Sequence, residues 1–176
     1  PYFPEENMFE FELSITKALH RDHVATLALL EKLETELNRQ GASEIPSADD
    51  PAWRNLLTEM AAVLEADVKG HFAFEESRLF PVFSEYVDPG IPTMLQEEHE
   101  IIRPLAEALL TSARLALQSG FDAAGWTDFY NQGLELGERE VFHIQKEEMG
   151  FLPALEQVLE PDDDAELSMA YSEAGG

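Results

Sequence analysis

Residues 71–83, HFAFEESRLFPVF, and residues 143–155, HIQKEEMGFLPAL, are two versions of one pattern. In each, glutamates stand four and five residues after the histidine, and a proline stands ten after it. Side chains four apart on a helix share a face, with Cβ atoms about 5–6 Å apart. His71 and Glu75 therefore aim at one spot, as do His143 and Glu147. Glu76 and Glu148 are rotated away from that direction and are assigned to solvent or to the layer behind it. Phe72, Phe74, Leu79, Phe80, Val82 and Phe83 surround the first pair, and Val141, Phe142 and Ile144 flank the second, so both pairs belong to apolar helices rather than to solvated ones.

The segments before these two also match. RDHVATLALL carries His23 and EEHEIIRPLA carries His99, each histidine directly preceded by an acid. The chain thus reads as two related helical hairpins, each a helix with an acid–His pair followed by a helix with His-x-x-x-Glu.

Periodicity extends this to the whole fold. From about Phe9 to Arg39, Leu13, Ile15, Leu19, Leu27, Leu30, Leu33 and Leu37 follow amphipathic spacing, ending at Gly41. GASEIPSADD breaks the pattern, and Asp50 before Pro51 is an N-cap followed by proline at the first helical position. A second helix is predicted from Pro51 to about Tyr86, a third from Pro92 or Thr93 to about Gln118, and a fourth from a cap at Asp122 to about Glu160. Pro81 and Pro153 each remove a backbone donor and predict a kink or break. No long stretch alternates with period two. The prediction is an all-α, antiparallel up-down four-helix bundle over residues 1–160, with PDDDAELSMAYSEAGG, residues 161–176, as a flexible acidic tail.

The 176 residues are 44% apolar, enough for one domain with a sizeable core. Eleven basic against 36 acidic side chains, a net charge of −25, repel nucleic acid and anionic membranes. No apolar run reaches the roughly 20 residues of a membrane span, and the acidic first residues show no signal peptide. Without cysteine there is no disulfide, thiolate metal site or thiol catalysis. P-loop, GxSxG, dinucleotide and HExxH motifs are missing; HEIIR at His99 lacks the second histidine.

Four histidines and two glutamates aimed into a bundle core need partners, because an unpaired buried carboxylate costs several kcal/mol. Imidazole nitrogen and carboxylate oxygen are both ligands of first-row metals, and bundle cores are a common setting for such sites. His23, His71, Glu75, His99, His143 and Glu147 are therefore the candidate ligands of two metal ions. The two carboxylates can bridge and the four imidazoles stand at the ends, leaving positions for an oxo or hydroxo bridge and an added ligand. Iron is the preferred metal, with zinc and manganese as alternatives.

Taken together, DH at 22–23, HxxxEExxLFP from His71, EEH at 97–99 and HxxxEExxFLP from His143 resemble the hemerythrin-like, or HHE, cation-binding family over residues 12–158. The resemblance implies an antiparallel bundle with a non-haem di-iron centre held by those six residues. Two features differ from the oxygen-carrying members. Arg103 stands where they have a further histidine, and Glu147 is four rather than five residues past its histidine. The set is more similar to the branch associated with nitric-oxide response and iron-centre repair. His20, one turn before His23, is either a fifth nitrogen ligand or a residue that orients a neighbour. Arg103 either pairs with a carboxylate or reaches solvent.

Function follows the centre: binding of O2, NO or peroxide in sensing, storage or buffering, in a stand-alone cytoplasmic protein. The alternatives are an iron-donating repair factor or di-iron reductase and, in another class, an acidic helical interaction module without metal. Whether the chain is an enzyme stays open on the residues alone.

Overall fold

The computed structural model describes residues 10–175, so the first nine residues of the expected 1–160 domain lie outside it. It is all-helical, with no strand among the described residues. Helix α1 spans Ser14–Gln40, and the next rod is α2 (Pro51–Ala66), π1 (Asp67–Phe72), π2 (Glu75–Leu79) and α3 (Phe80–Tyr86). Helix α4 spans Gly90–Ser119. The following rod is α5 (Ala123–Lys146), π3 (Glu147–Phe151) and α6 (Leu152–Val158), and α7 spans Pro161–Glu173. Helix α1 packs on α2 and α5, and α4 packs on the same two from the other side.

The caps read from the sequence are present. Asp50 accepts from the Ala52 N–H at 2.9 Å, and Asp122 from the Gly125 N–H at 2.7 Å. Gly41, at φ 82°, terminates α1 in a conformation that only glycine adopts readily. The interruptions expected at Pro81 and Pro153 take a specific form. Each proline lies in the first turn of an α-helix that directly follows a π-helical segment, 75–79 or 147–151. A proline ring clashes with the carbonyl four residues before it, and a wider i→i+5 turn relieves that clash without breaking the rod. Pro104 lies inside α4, which continues through it.

Two expectations need correction. Helix α1 begins at Ser14, and Phe9 lies outside the described residues; residues 10–13 are not helical, and the backbone donors of Glu12, Leu13, Ser14 and Ile15 are taken by distant acids. Glu156 accepts from the Leu13 N–H at 3.0 Å, and Asp164 from the N–H groups of Ser14 and Ile15 at 2.9 and 2.8 Å. Residues 161–173, read as a flexible tail, form α7 instead. Pro161 opens it, the acids of its first turn suit the positive end of the helix dipole, and Leu167 and Tyr171 bury one face beside α1.

The core is divided. At one end Trp53, Trp126, Phe129, Leu33, Leu37 and Leu109 form a dry cluster, with the two indoles edge to face at 5.2 Å. At the other, Ile15, Leu19, Phe83, Leu95, Phe151 and Leu155 form a second, which also takes Leu167 and Tyr171. Between them lies a buried polar layer of His23, Asp67, His71, Glu75, His99, Glu140, His143 and Glu147. Each large side chain buried in the clusters is worth about 1.5–3 kcal/mol, and that packing holds the polar layer in place. Among the described residues, no helix is long and apolar enough to cross a membrane.

Candidate metal centre

The structure brings all six candidate ligands into two overlapping groups. Single donor atoms of His23, His71, Glu75 and Glu147 lie within 4.8 Å of one another, as do those of Glu75, His99, His143 and Glu147. In the first group His23 Nε2 is 3.2 Å from His71 Nε2 and 2.7 Å from Glu147 Oε2, and His71 Nε2 is 3.2 Å from Glu75 Oε1. In the second, His99 Nε2 is 3.1 Å from His143 Nε2 and 3.4 Å from Glu75 Oε2, and His143 Nε2 is 2.9 Å from Glu147 Oε1. Glu75 and Glu147 belong to both groups, and each turns one oxygen to each.

These residues fit a pair of cations. Two donors about 2.1 Å from one ion, at angles between square and tetrahedral, are themselves roughly 3.0–3.4 Å apart. Four of the six separations above fall in that range, and the two shorter ones, 2.7 and 2.9 Å, are histidine–Glu147 contacts. All four oxygens of Glu75 and Glu147 are buried without a hydrogen-bond partner, although imidazole nitrogens lie close. The outer contacts of the histidines resolve this apparent conflict. With Nδ1–H donating outward, each Nε2 presents a lone pair to the carboxylate oxygens, and only a cation or an added proton makes that contact favourable.

Every Nδ1 does face a carboxylate. His23 Nδ1 is 2.6 Å from Glu148 Oε1, His71 Nδ1 is 3.2 Å from Asp22 Oδ2, His99 Nδ1 is 2.9 Å from Glu76 Oε1, and His143 Nδ1 is 2.8 Å from Glu98 Oε2. Glu76 and Glu148 thus stand behind the histidines, not in solvent. Asp22 and Glu98 escaped the sequence reading in this role, although each directly precedes a candidate ligand. One residue before a site-facing histidine is a third of a turn around the helix, toward the neighbouring rod's histidine.

Each of these four carboxylates has a further partner. His20 Nδ1 is 2.9 Å from Glu148 Oε2, Arg103 donates to Glu76, Lys146 donates to Glu98, and the Tyr171 hydroxyl donates to Asp22. His20 therefore lies behind His23 and outside both donor groups. Arg103 pairs with Glu76, which is not one of the six, while its guanidinium lies over Phe72 at 5.9 Å from the ring centroid. Phe72 itself stacks on His99 at 3.8 Å.

Protons compete with cations for the same atoms. Burial alone lowers the proton affinity of the His23 imidazole, but the adjacent carboxylates of Glu147 and Glu148 outweigh it and raise its pKa to about 9. Burial likewise opposes charge on His71 and His143, and the neighbouring carboxylates, Glu75 and Glu147 foremost, push both well above the ordinary histidine value. Burial raises the Glu147 carboxyl, yet His143, helped by His23 and His71, holds it well below the usual range.

A second buried acid pair escaped the sequence reading altogether. Asp67 on π1 and Glu140 on α5 interact with each other in the buried layer, and burial raises the pKa of both, that of Glu140 more strongly. Asp67 Oδ2 and Glu140 Oε1 are buried without a hydrogen-bond partner, a setting that favours the neutral form of one of the two acids.

Compared with known proteins, the chain matches the description "Hemerythrin HHE cation binding domain" over residues 14–155. No curated protein matches it.

Proposed function

Because this chain belongs to the hemerythrin HHE cation-binding family, we propose that it holds two iron ions and uses them to bind a small molecule such as O2, NO or peroxide, in sensing, storage or buffering. His23, His71, His99 and His143 are the terminal ligands in this reading, and Glu75 and Glu147 bridge. One observation carries it: the four oxygens of two fully buried carboxylates, unpaired among themselves, divide evenly between two pairs of histidines. A metal-free interaction module would have to hold those carboxylates against protonated histidines in the core, where burying an ion costs several kcal/mol.

The bundle around the centre is read as four antiparallel, up-and-down rods. Its support is that consecutive rods packed side by side are joined by short connections, residues 87–89 and 120–122 among them. Each donor group offers two nitrogens and two oxygens, and iron accepts up to about six ligands, so an added molecule finds positions. Bound iron would supply a redox-active Lewis acid. The chain's residues orient the imidazoles through their Nδ1 partners and keep the site dry between two apolar clusters. Arg103 is committed to Glu76, so α4 offers no further nitrogen there; this favours the branch associated with nitric-oxide response over an oxygen carrier.

Iron analysis of protein produced in iron-supplemented medium is expected to give two ions per chain. Mixing the reduced protein with O2 and with NO is expected to change its visible spectrum. Less than one metal ion per chain, with stability unaltered by a chelator, refutes the proposal. A second reading, iron donation in repair, is favoured by a cavity of about 140 Å3 that reaches His71. Transfer of iron to an apo iron–sulfur acceptor separates the two, since a buffer of small molecules retains its iron.

A further inference from the structure

Three of the four outer partners, His20, Arg103 and Lys146, fall inside the family match at residues 14–155, and the fourth does not. Tyr171 belongs to α7, beyond it. Its hydroxyl donates to Asp22, whose Oδ2 also faces His71 Nδ1 at 3.2 Å. The two contacts make a chain from α7 to one histidine of one donor group. Among the described residues, the outer partners of His99 and His143 are held by Arg103 and Lys146, and no hydrogen bond links them to α7.

Asp22 needs this contact more than its counterparts do. Its side chain is 36% exposed, against 9% for Glu148, 23% for Glu76 and 22% for Glu98. A carboxylate with that much access to water has other places to point, and a fixed hydroxyl removes them. The phenol ring is well seated for this: Tyr171 is 2% exposed and tilted against Phe74 at 4.8 Å. Helix α7 is in turn anchored by Asp164 at the start of α1 and by Leu167 in the apolar cluster.

The same tyrosine borders the route to His71. Asp22, Thr26, Asp67, Gly70, His71 and Tyr171 line the cavity of about 140 Å3 between α1, π1 and α7. At about 30 Å3 per liquid water, it holds a few waters or a partly hydrated cation. A Cβ added at Gly70 would meet nothing within 4 Å, so the wall is open on that side.

We propose that Tyr171 is a positioning residue for one ion only, the one held by His23 and His71, and that α7 thereby sets how fast that ion leaves through the cavity beside it. The inference rests on the two-ion reading above. The Tyr171 hydroxyl fixes Asp22, Asp22 fixes the tautomer and direction of His71, and the second ion is untouched. Partners of this kind commonly change metal affinity by about 10–100-fold when removed.

The test uses the full chain loaded anaerobically with iron(II), mixed with excess colorimetric chelator, and followed by stopped flow. Wild-type protein is expected to release its ions in two phases. Tyr171→Phe, which keeps the ring and removes the hydroxyl, is expected to speed one phase at least about tenfold and leave the other within about twofold. Arg103→Gln, acting behind His99, is expected to speed the other phase. A merely structural role for Tyr171 would accelerate both phases together, and that result, or no change in either, overturns the inference while leaving the di-iron reading intact. A wild-type chain that binds fewer than two ions overturns that reading, and this inference with it.

Discussion

The two helical hairpins carry matching ligands and unlike surroundings. Behind His23 and His71 stand Glu148 and Asp22, and behind these stand an imidazole, His20, and a phenol, Tyr171. Behind His99 and His143 stand Glu76 and Glu98, and behind these stand two cations, Arg103 and Lys146. Phe72 stacks on His99, and among the described residues no ring is stacked in the same way on the first pair. The repeat keeps the same candidate donor atoms in both hairpins while the next layer differs. Two sites with identical donors are thereby given different electrostatic settings, because a carboxylate compensated by a fixed cation transmits less negative charge to its imidazole.

The strongest way to break the comparison is to remove a residue common to both hairpins. Glu147→Ala is expected to abolish binding at both positions, reducing iron from two per chain to less than one by elemental analysis. Retention of both ions would mean that Glu147 does not bridge. Next in size are the partners specific to one hairpin. Asp22→Asn and Glu98→Gln are each expected to weaken one ion about 10–100-fold, and opposite ions, as seen by competition with a chelator of known affinity.

A pH titration sharpens the comparison further. In the metal-free protein His23 has its folded pKa raised to about 9, from an unfolded value near 6.5. Its proton therefore stabilises that form fully below about pH 6.5, and the contribution, on the order of 3 kcal/mol, is lost as pH rises through about 9. Thermal midpoints of metal-free protein are expected to fall over that window. Iron binding, which displaces the protons, is expected to tighten over the same window and to release protons measurable in weakly buffered solution. The smallest effect belongs to the pair on neither ligand list. The raised pKa of Glu140 means that its proton stabilises the fold below about pH 4.3, a contribution lost as pH rises through the folded value. Glu140→Gln keeps a donor for Asp67 without needing that proton. It is expected to raise stability by about 1 kcal/mol at alkaline pH and not in acid, by denaturant unfolding.

Much of this was legible in the sequence because the candidate ligands obey helical spacing. His71 with Glu75 and His143 with Glu147 are four apart and sit among apolar neighbours, which identifies both the rods and their inward faces. The caps at Asp50 and Asp122 were equally local. Asp67 and Glu140 were not legible, and the backbone explains why: Asp67 is four residues before His71, but Glu140 is three before His143. Segment π1 takes one more residue per turn than the α-helical stretch that carries Glu140, so the repeat falls out of register there. Helix α7 was hidden for a compositional reason. PDDD resembles solvated chain, and only Leu167 and Tyr171 reveal a buried face, whose partner is α1, nearly the whole sequence away. The role of His20 depended on where Glu148 turned, which no spacing on α1 alone could disclose.

The acids that complete the start of α1 have a consequence for how the chain comes to be folded in the cell. Ser14 and Asp164 are 150 residues apart. At roughly 5–20 residues per second, a ribosome makes the second about 8–30 s after the first. Helix α1, made well before α6 and α7, is thus among the last of these helices to be finished, its leading N–H groups satisfied by water until Glu156 and Asp164 return to them. Closing so long a loop is slow relative to hairpin formation, which gives the two helical hairpins time to find each other before α7 docks.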